Sequence, residues 1–172
     1  MGMLSRSAVL EYVAPLVRSI FRFVPGGRQR MRAIELSRRI DALDAAGRFE
    51  ESRPLRSAGL RELPVSCQAP LWRSEAEDLL RRGNAEQALA AFERAIDYAE
   101  QSPFFYGIAA PHRIYYGAAV AAADSGRRDR ALAYAKEFEK LIVAFRADPQ
   151  LAAWVASHEK QFEYLHAKLR TV

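Results

Sequence analysis

The sequence predicts an all-α chain of antiparallel helical hairpins stacked as a short α-solenoid. Three observations carry that prediction. Apolar residues recur by threes and fours along most of the chain, the spacing that lines one face of a helix. Three glycines, Gly47, Gly83 and Gly126, each fall where one stripe stops and the next begins, the place where a helix ends in a left-handed residue. Alanine and arginine are abundant and no β-branched run is present, so nothing is patterned as a strand.

In chain order, residues 4–24 read as an amphipathic helix. Val9, Tyr12, Val13, Leu16, Val17, Ile20, Phe21, Phe23 and Val24 cover one half of it, with Ser7, Glu11, Arg18 and Arg22 on a narrow opposite arc. Pro15 is expected to kink it. Glu11, Arg18 and Arg22 argue against a transmembrane span, which needs about 20 nearly uncharged residues. Glu11 and Pro15, with no small-x-small site after them, argue against a secretory signal, whereas an Arg-rich, acid-poor transit peptide stays open. The apolar arc must be buried on the domain itself, on a partner protein or on a membrane surface. Pro25-Gly26-Gly27 then breaks the chain. It divides residues 1–27, a basic amphipathic helix, from a helical domain over residues 28–172.

The first hairpin pairs Ala33, Leu36, Ile40 and Leu43 with Leu55, Leu60 and Leu63 across Gly47. Pro54 makes its second helix short or bent, because only a first turn tolerates proline. Residues Pro64 to Pro70 read as a linker. The central hairpin is the clearest. Trp72, Ala76, Leu79 and Leu80 face Ala85, Ala88, Leu89, Phe92, Ala95, Ile96 and Ala99 across Gly83-Asn84, with Asn84 able to cap the second helix. Gln101 to Pro111 is a linker whose Phe104, Phe105 and Tyr106 are expected under a neighbouring helix. The third hairpin pairs Ile114, Tyr115, Ala118, Ala119 and Ala122 with Ala131, Leu132, Ala135, Phe138, Leu141, Ile142 and Phe145 across Gly126. Asp148-Pro149 opens a last helix, residues 148–172, with Leu151, Val155, His158, Phe162, Leu165 and Leu169 on one side. A stack of hairpins leaves its final face open, and this helix suits the role of cap.

The central hairpin resembles the tetratricopeptide repeat. That 34-residue motif sets a Trp, a small residue, a large apolar residue, a Gly, an Ala, an aromatic and an Ala at fixed offsets. Trp72, Ala76, Leu79, Gly83, Ala88, Phe92 and Ala95 occupy them. Glu75 stands where the family prefers Leu, and Glu100 where it often has Pro. The flanking hairpins match loosely. Leu36 replaces the Trp and Ser52 the Ala in the first, and Ala135 stands at the aromatic position of the third. The resemblance thus gives one good repeat, about residues 70–100, between two degenerate ones. It implies a binding groove along the first helices of the hairpins. By its offsets that groove shows Arg38, Asp41, Arg73, Glu77, Arg81, Arg113, Tyr116 and Val120. Some members clamp a terminal carboxylate with Lys/Arg and Asn at these offsets, but no Asn occurs there.

The net charge is +5. Residues 1–32 hold six arginines and one acid, so the whole excess belongs to them and points to an anionic surface. The docking residues of that segment are Val9, Val13, Leu16, Val17, Arg18, Ile20, Phe21 and Arg22. Cys67 is the single cysteine, which excludes an internal disulfide and reads as a small linker residue. His112, His158 and His166 do not form a zinc pair, since His158 and His166 are two turns apart rather than one; His158 reads as a core-edge histidine. No glycine-rich loop carries a phosphate-binding lysine, and Glu50-Glu51 or Asp124 with Asp129 read as helix-start charges. The basic cluster Arg28, Arg30, Arg32, Arg38 and Arg39 lacks interleaved aromatics and is interrupted by Glu35, Asp41 and Asp44, which argues against a nucleic-acid partner. The expectation is a non-enzymatic, cytoplasmic adaptor or accessory subunit of a larger assembly, without cofactor or metal, taking a peptide or helix as partner. The alternative is a peripheral membrane protein anchored by its N-terminal helix on an anionic surface.

Overall fold

The three turn glycines dictate the architecture. Gly47, Gly83 and Gly126 have φ of 73°, 79° and 72°, the left-handed region that glycine enters without a Cβ penalty. Each closes the same pair of backbone hydrogen bonds that ends a helix in a tight reversal. Arg48 N–H reaches the Leu43 carbonyl at 2.9 Å and Gly47 N–H that of Asp44 at 3.0 Å. Asn84 and Gly83 repeat this on Leu79 and Leu80, both at 3.0 Å. Arg127 and Gly126 repeat it on Ala122 and Ala123, at 2.8 and 3.0 Å. Asn84 does not cap: like Arg48 and Arg127 at the equivalent place, it makes no side-chain cap bond. All three have ψ between 54° and 66°, far from the extended backbone of a capping residue. The glycine turn, not a cap, starts each second helix.

This computed structural model describes residues 26–102, 109–146 and 152–170. Among them are seven helices and no strand: α1 (Gly27–Ala45), α2 (Phe49–Glu62), α3 (Ala69–Arg81), α4 (Ala85–Glu100), α5 (Pro111–Asp124), α6 (Arg128–Phe145) and α7 (Ala152–Leu169). A 3₁₀ turn, Val65–Cys67, joins α2 to α3. The hairpins α1–α2, α3–α4 and α5–α6 stack in order, α1, α3 and α5 also touch in succession, and α7 lies on α5 and α6. The expected N-terminal helix, the aromatics Phe104 to Tyr106 and the Asp148-Pro149 start lie outside the described residues.

The main core runs through the second and third hairpins and α7, from Ala69, Ala76 and Phe92 to Ile114, Phe138, Val155 and Leu165. Alanine fills it, so the helices approach closely. Where α5 crosses α4 a Cβ on Gly117 would stand 2.1 Å from the Phe92 ring. In the third hairpin the large and small residues trade places. Ala135 occupies the aromatic position, and Phe138, one turn on, is fully buried against Tyr116 with ring centroids 5.5 Å apart. The first hairpin has a separate, smaller core of Ala33, Ile40, Leu63, Cys67 and Leu71.

Several sequence expectations need correction. Helix α2 runs fourteen residues and is not short. Pro54 lies beyond its first turn but is exposed, so water can serve the Glu50 carbonyl that lost its helical donor. Helix α3 begins at Ala69 and takes in Pro70, whose missing N–H costs nothing in a first turn. Trp72, on the apolar stripe, is half-buried, its indole N–H donating to Gln68 Oε1 at 3.2 Å and the Arg94 guanidinium lying 4.7 Å from the ring. Leu132 is 45% exposed instead of packed inward.

Candidate functional site

The face formed by α1, α3 and α5 brings together side chains from three hairpins. The turns place these first helices side by side, so one position on each points to a shared line. Asp41 of α1, Arg73 and Glu77 of α3 and Arg113 of α5 meet there as one ion network. Arg73 Nη2 donates to both Asp41 oxygens at 2.9 and 2.8 Å. Arg113 forks onto Glu77, with Nε to Oε1 at 2.9 Å and Nη2 to Oε2 at 2.7 Å. Its third nitrogen donates to Asp41 Oδ1 at 3.3 Å. Arg73 also pairs with Glu77, one turn along, at 3.4 Å. Two arginines and two carboxylates neutralise one another. Burial opposes the Arg113 charge, but Glu77 and Asp41 outweigh it and raise its pKa.

Beside the network lies a pocket of about 370 Å³ lined by Glu77, Leu80, Arg81, Phe92, Arg113, Tyr116, Gly117 and Gln161. Its floor is apolar, Phe92 with Leu80, and Gly117, lacking a side chain, lets α5 close onto the Phe92 ring beside it. Its rim is polar. Arg81 donates to Asp78 Oδ1 at 2.7 Å and lies 3.7 Å over the Phe49 ring. Gln161 reaches the rim from α7. Such a cavity accepts an apolar group flanked by hydrogen-bonding atoms.

Of the residues expected in a groove, Asp41, Arg73, Glu77 and Arg113 are in direct contact, and Glu77, Arg81, Arg113 and Tyr116 line the pocket. Arg73 is 1% exposed, so it holds the face together more than it offers a surface. Val120, expected at the groove, is instead buried in the main core, the cluster that also holds Val155, Leu165 and Leu169 of α7. Arg38 is exposed and takes no part in the network. The N-terminal docking residues Val9, Val13, Leu16, Val17, Arg18, Ile20, Phe21 and Arg22 lie outside the described residues.

Two clusters escaped the sequence reading. His112 of α5 sits edge-on to Trp154 and His158 of α7, with ring centroids 5.0 and 4.9 Å away. Trp154 and His158 stack at 4.0 Å. Burial, with the charges of His158, Arg113 and Arg73, lowers the His112 pKa to about 4. The second cluster is buried between the first two hairpins. Arg56 is 0% exposed; its Nε donates to Glu75 at 2.8 Å and its Nη1 to Ser74 at 3.1 Å. Its Nη2 lies 3.2 Å from Asp78 Oδ2. The Asp78 carboxylate also meets Arg53, Arg81 and Arg82 at 3.0, 2.7 and 3.3 Å. Asp44 accepts from Ser52 and Ser74. Burial pushes the Asp78 carboxyl up, but the Arg53 hydrogen bond and the charges of Arg56, Arg53 and Arg82 outweigh it and hold it below the usual value. The spacing was a readable signal: Arg56 stands one 36-residue period before Phe92, as Gly47 does before Gly83.

Among the described residues, no group of three or more His, Cys, Asp or Glu side chains is placed to hold a metal ion. No helix among them is long and apolar enough to cross a membrane. No protein-family model, curated protein or solved structure matches this chain.

Proposed function

We propose that this chain is a tetratricopeptide-like interaction module, a non-enzymatic adaptor or accessory subunit that binds a peptide or helix on its α1–α3–α5 face. The observation that carries this reading is the pocket over Phe92 and Gly117, apolar at its floor and rimmed by Glu77, Arg81, Arg113 and Gln161. An apolar anchor side chain fits the floor, and the rim supplies donors and an acceptor to the backbone on either side of it. The paired charges of Asp41, Arg73, Glu77 and Arg113 favour a partner anchored by shape over one captured by a single charge.

The test begins with affinity purification of the full chain and mass spectrometry. Binding of the purified partner is then measured against Gln161→Trp, which fills the pocket mouth from an exposed position. The proposal expects at least tenfold weaker binding. Unchanged affinity would remove the pocket from the interface.

A second reading is favoured by the charge of residues 1–32, six arginines against one acid. In it the amphipathic segment holds the chain on an anionic membrane, each arginine contributing on the order of 1 kcal/mol near the surface. Flotation with anionic vesicles at low and high salt tests it. Flotation that salt abolishes and that deletion of residues 1–27 removes supports the membrane reading; no flotation at low salt refutes it.

A further inference from the structure

We infer that the first hairpin, α1 with α2, opens from the rest of the domain as a unit at the buried Arg56–Asp78 joint, and that this opening controls access to Cys67. Three features of the joint carry this. Its centre is ionic: Arg53 and Arg56 of the first hairpin meet Ser74, Glu75 and Asp78 of α3, Ser74 donates back to Asp44, and Arg81 and Arg82 pair with Asp78 from its own side. A buried ion pair gives little net stability, since its members recover full hydration once apart. Arg56 Nη2 has no well-aligned acceptor although Asp78 is near, so even the closed joint leaves a donor poorly served.

The apolar part of the joint is small and cut off. Ala33, Ile40, Leu63, Cys67 and Leu71 form a cluster separate from the main core. Breaking it does not disturb Phe92, Ile114 or Phe138. The hairpin is also connected by little: after Leu63 comes only the 3₁₀ turn Val65–Cys67 before α3. Gln68 ties it down, donating to the Leu60 and Leu63 carbonyls at 3.0 and 2.7 Å, but these bonds can be replaced by water when the hairpin lifts. Regions with few buried apolar contacts open below the global unfolding free energy. Opening has a consequence for the α1–α3–α5 face. It withdraws Asp41 from Arg73 and Arg113, so a neutral set of four charges becomes one with an excess positive charge facing any partner.

Cys67 is the single cysteine, 2% exposed, and so reports the opening without any engineered probe. The experiment follows its reaction with a thiol reagent in the intact chain as urea is raised, beside far-UV circular dichroism of global unfolding. The expected result is labelling at least 100-fold faster than global unfolding allows, with a urea slope clearly above zero and below half the global slope. Asp78→Asn should raise the native labelling rate at least tenfold without changing that slope. If Asp78→Asn does not fold, Arg53→Met removes one arginine from the exposed edge of the cluster and should raise labelling severalfold. Labelling that matches global unfolding in rate and slope overturns the inference. So does a slope near zero, which reports only breathing of the 3₁₀ turn, and so does labelling that neither substitution changes.

Discussion

Two joints of the same stack solve one packing problem in opposite ways. Between the second and third hairpins the position facing the next helix is Phe92, pressed on Gly117. One period earlier, between the first and second hairpins, it is Arg56, fully buried and ringed by Asp44, Glu75 and Asp78. The turns on either side are the same to within a few degrees of φ. Helical hairpins will therefore stack as long as the volume is filled and polar atoms are served. What differs is the energy of separation. The apolar joint loses hydrophobic stabilisation when parted, whereas the ionic joint exchanges protein partners for water.

Substitutions at the two joints should separate these effects. Phe92→Ala should cost the most, about 3–5 kcal/mol in urea unfolding, because α4 and α5 cannot collapse into the space. Asp78→Asn should cost about 3 kcal/mol, at the lower end for a broken buried pair, since Arg53, Arg81 and Arg82 can turn to solvent. The buried glycines make a finer contrast. Gly117→Ala would drive a methyl to 2.1 Å from the fully buried Phe92 ring and should cost about 2–3 kcal/mol. Gly59→Ala would meet the methyl ends of Leu36 and Leu71 at 2.6 and 2.7 Å, which can swing aside, and should cost about 1 kcal/mol. Gly83→Ala, with nothing within 4 Å of the new Cβ, should cost only the left-handed strain, about 1 kcal/mol. Equal losses for Gly117→Ala and Gly59→Ala would show that the two joints are equally tight.

Acid should act on the molecule in two stages. His112 is held neutral, its pKa lowered from 6.5 to about 4. A depressed folded pKa gives stability that is complete above the unfolded value and is lost as pH falls. The contact of α5 with α7 should therefore weaken between about pH 6.5 and 4, and His112→Gln should flatten that part of the stability profile. The Asp78 carboxyl is also lowered, so the ionic joint keeps its contribution above the usual carboxylate range and loses it only at more acid pH. A profile in which the α5–α7 contact and the ionic joint weaken together would contradict these assignments.

The hairpins, their glycine turns and the capping helix were legible because each rests on local rules: apolar spacing and a left-handed residue. The meeting of Asp41, Arg73, Glu77 and Arg113 was legible only as offsets borrowed from a repeat family. The sequence did not show that these four charges would satisfy one another, because that depends on how far each first helix is rotated about its axis. Val120 illustrates the same limit, its burial decided by a core shared among several helices rather than by its own helix. The Arg56 joint was hidden for another reason. An arginine in a helix is ordinarily solvated, and only its buried partners Asp78 and Ser74, about twenty residues away, reverse that rule. The contact of His112 with Trp154 spans still more sequence and carries no local pattern.

Native-state hydrogen exchange tests the difference between the joints most directly. It is read helix by helix on the unaltered chain with increasing urea. The amides of α1 and α2 should exchange together through one opening with a shallow urea dependence, while those of α4 and α5 should exchange only through global unfolding. If the slowest amides of all four helices share one free energy and one urea slope, the stack opens as a single unit and the ionic joint is no weaker than the apolar one.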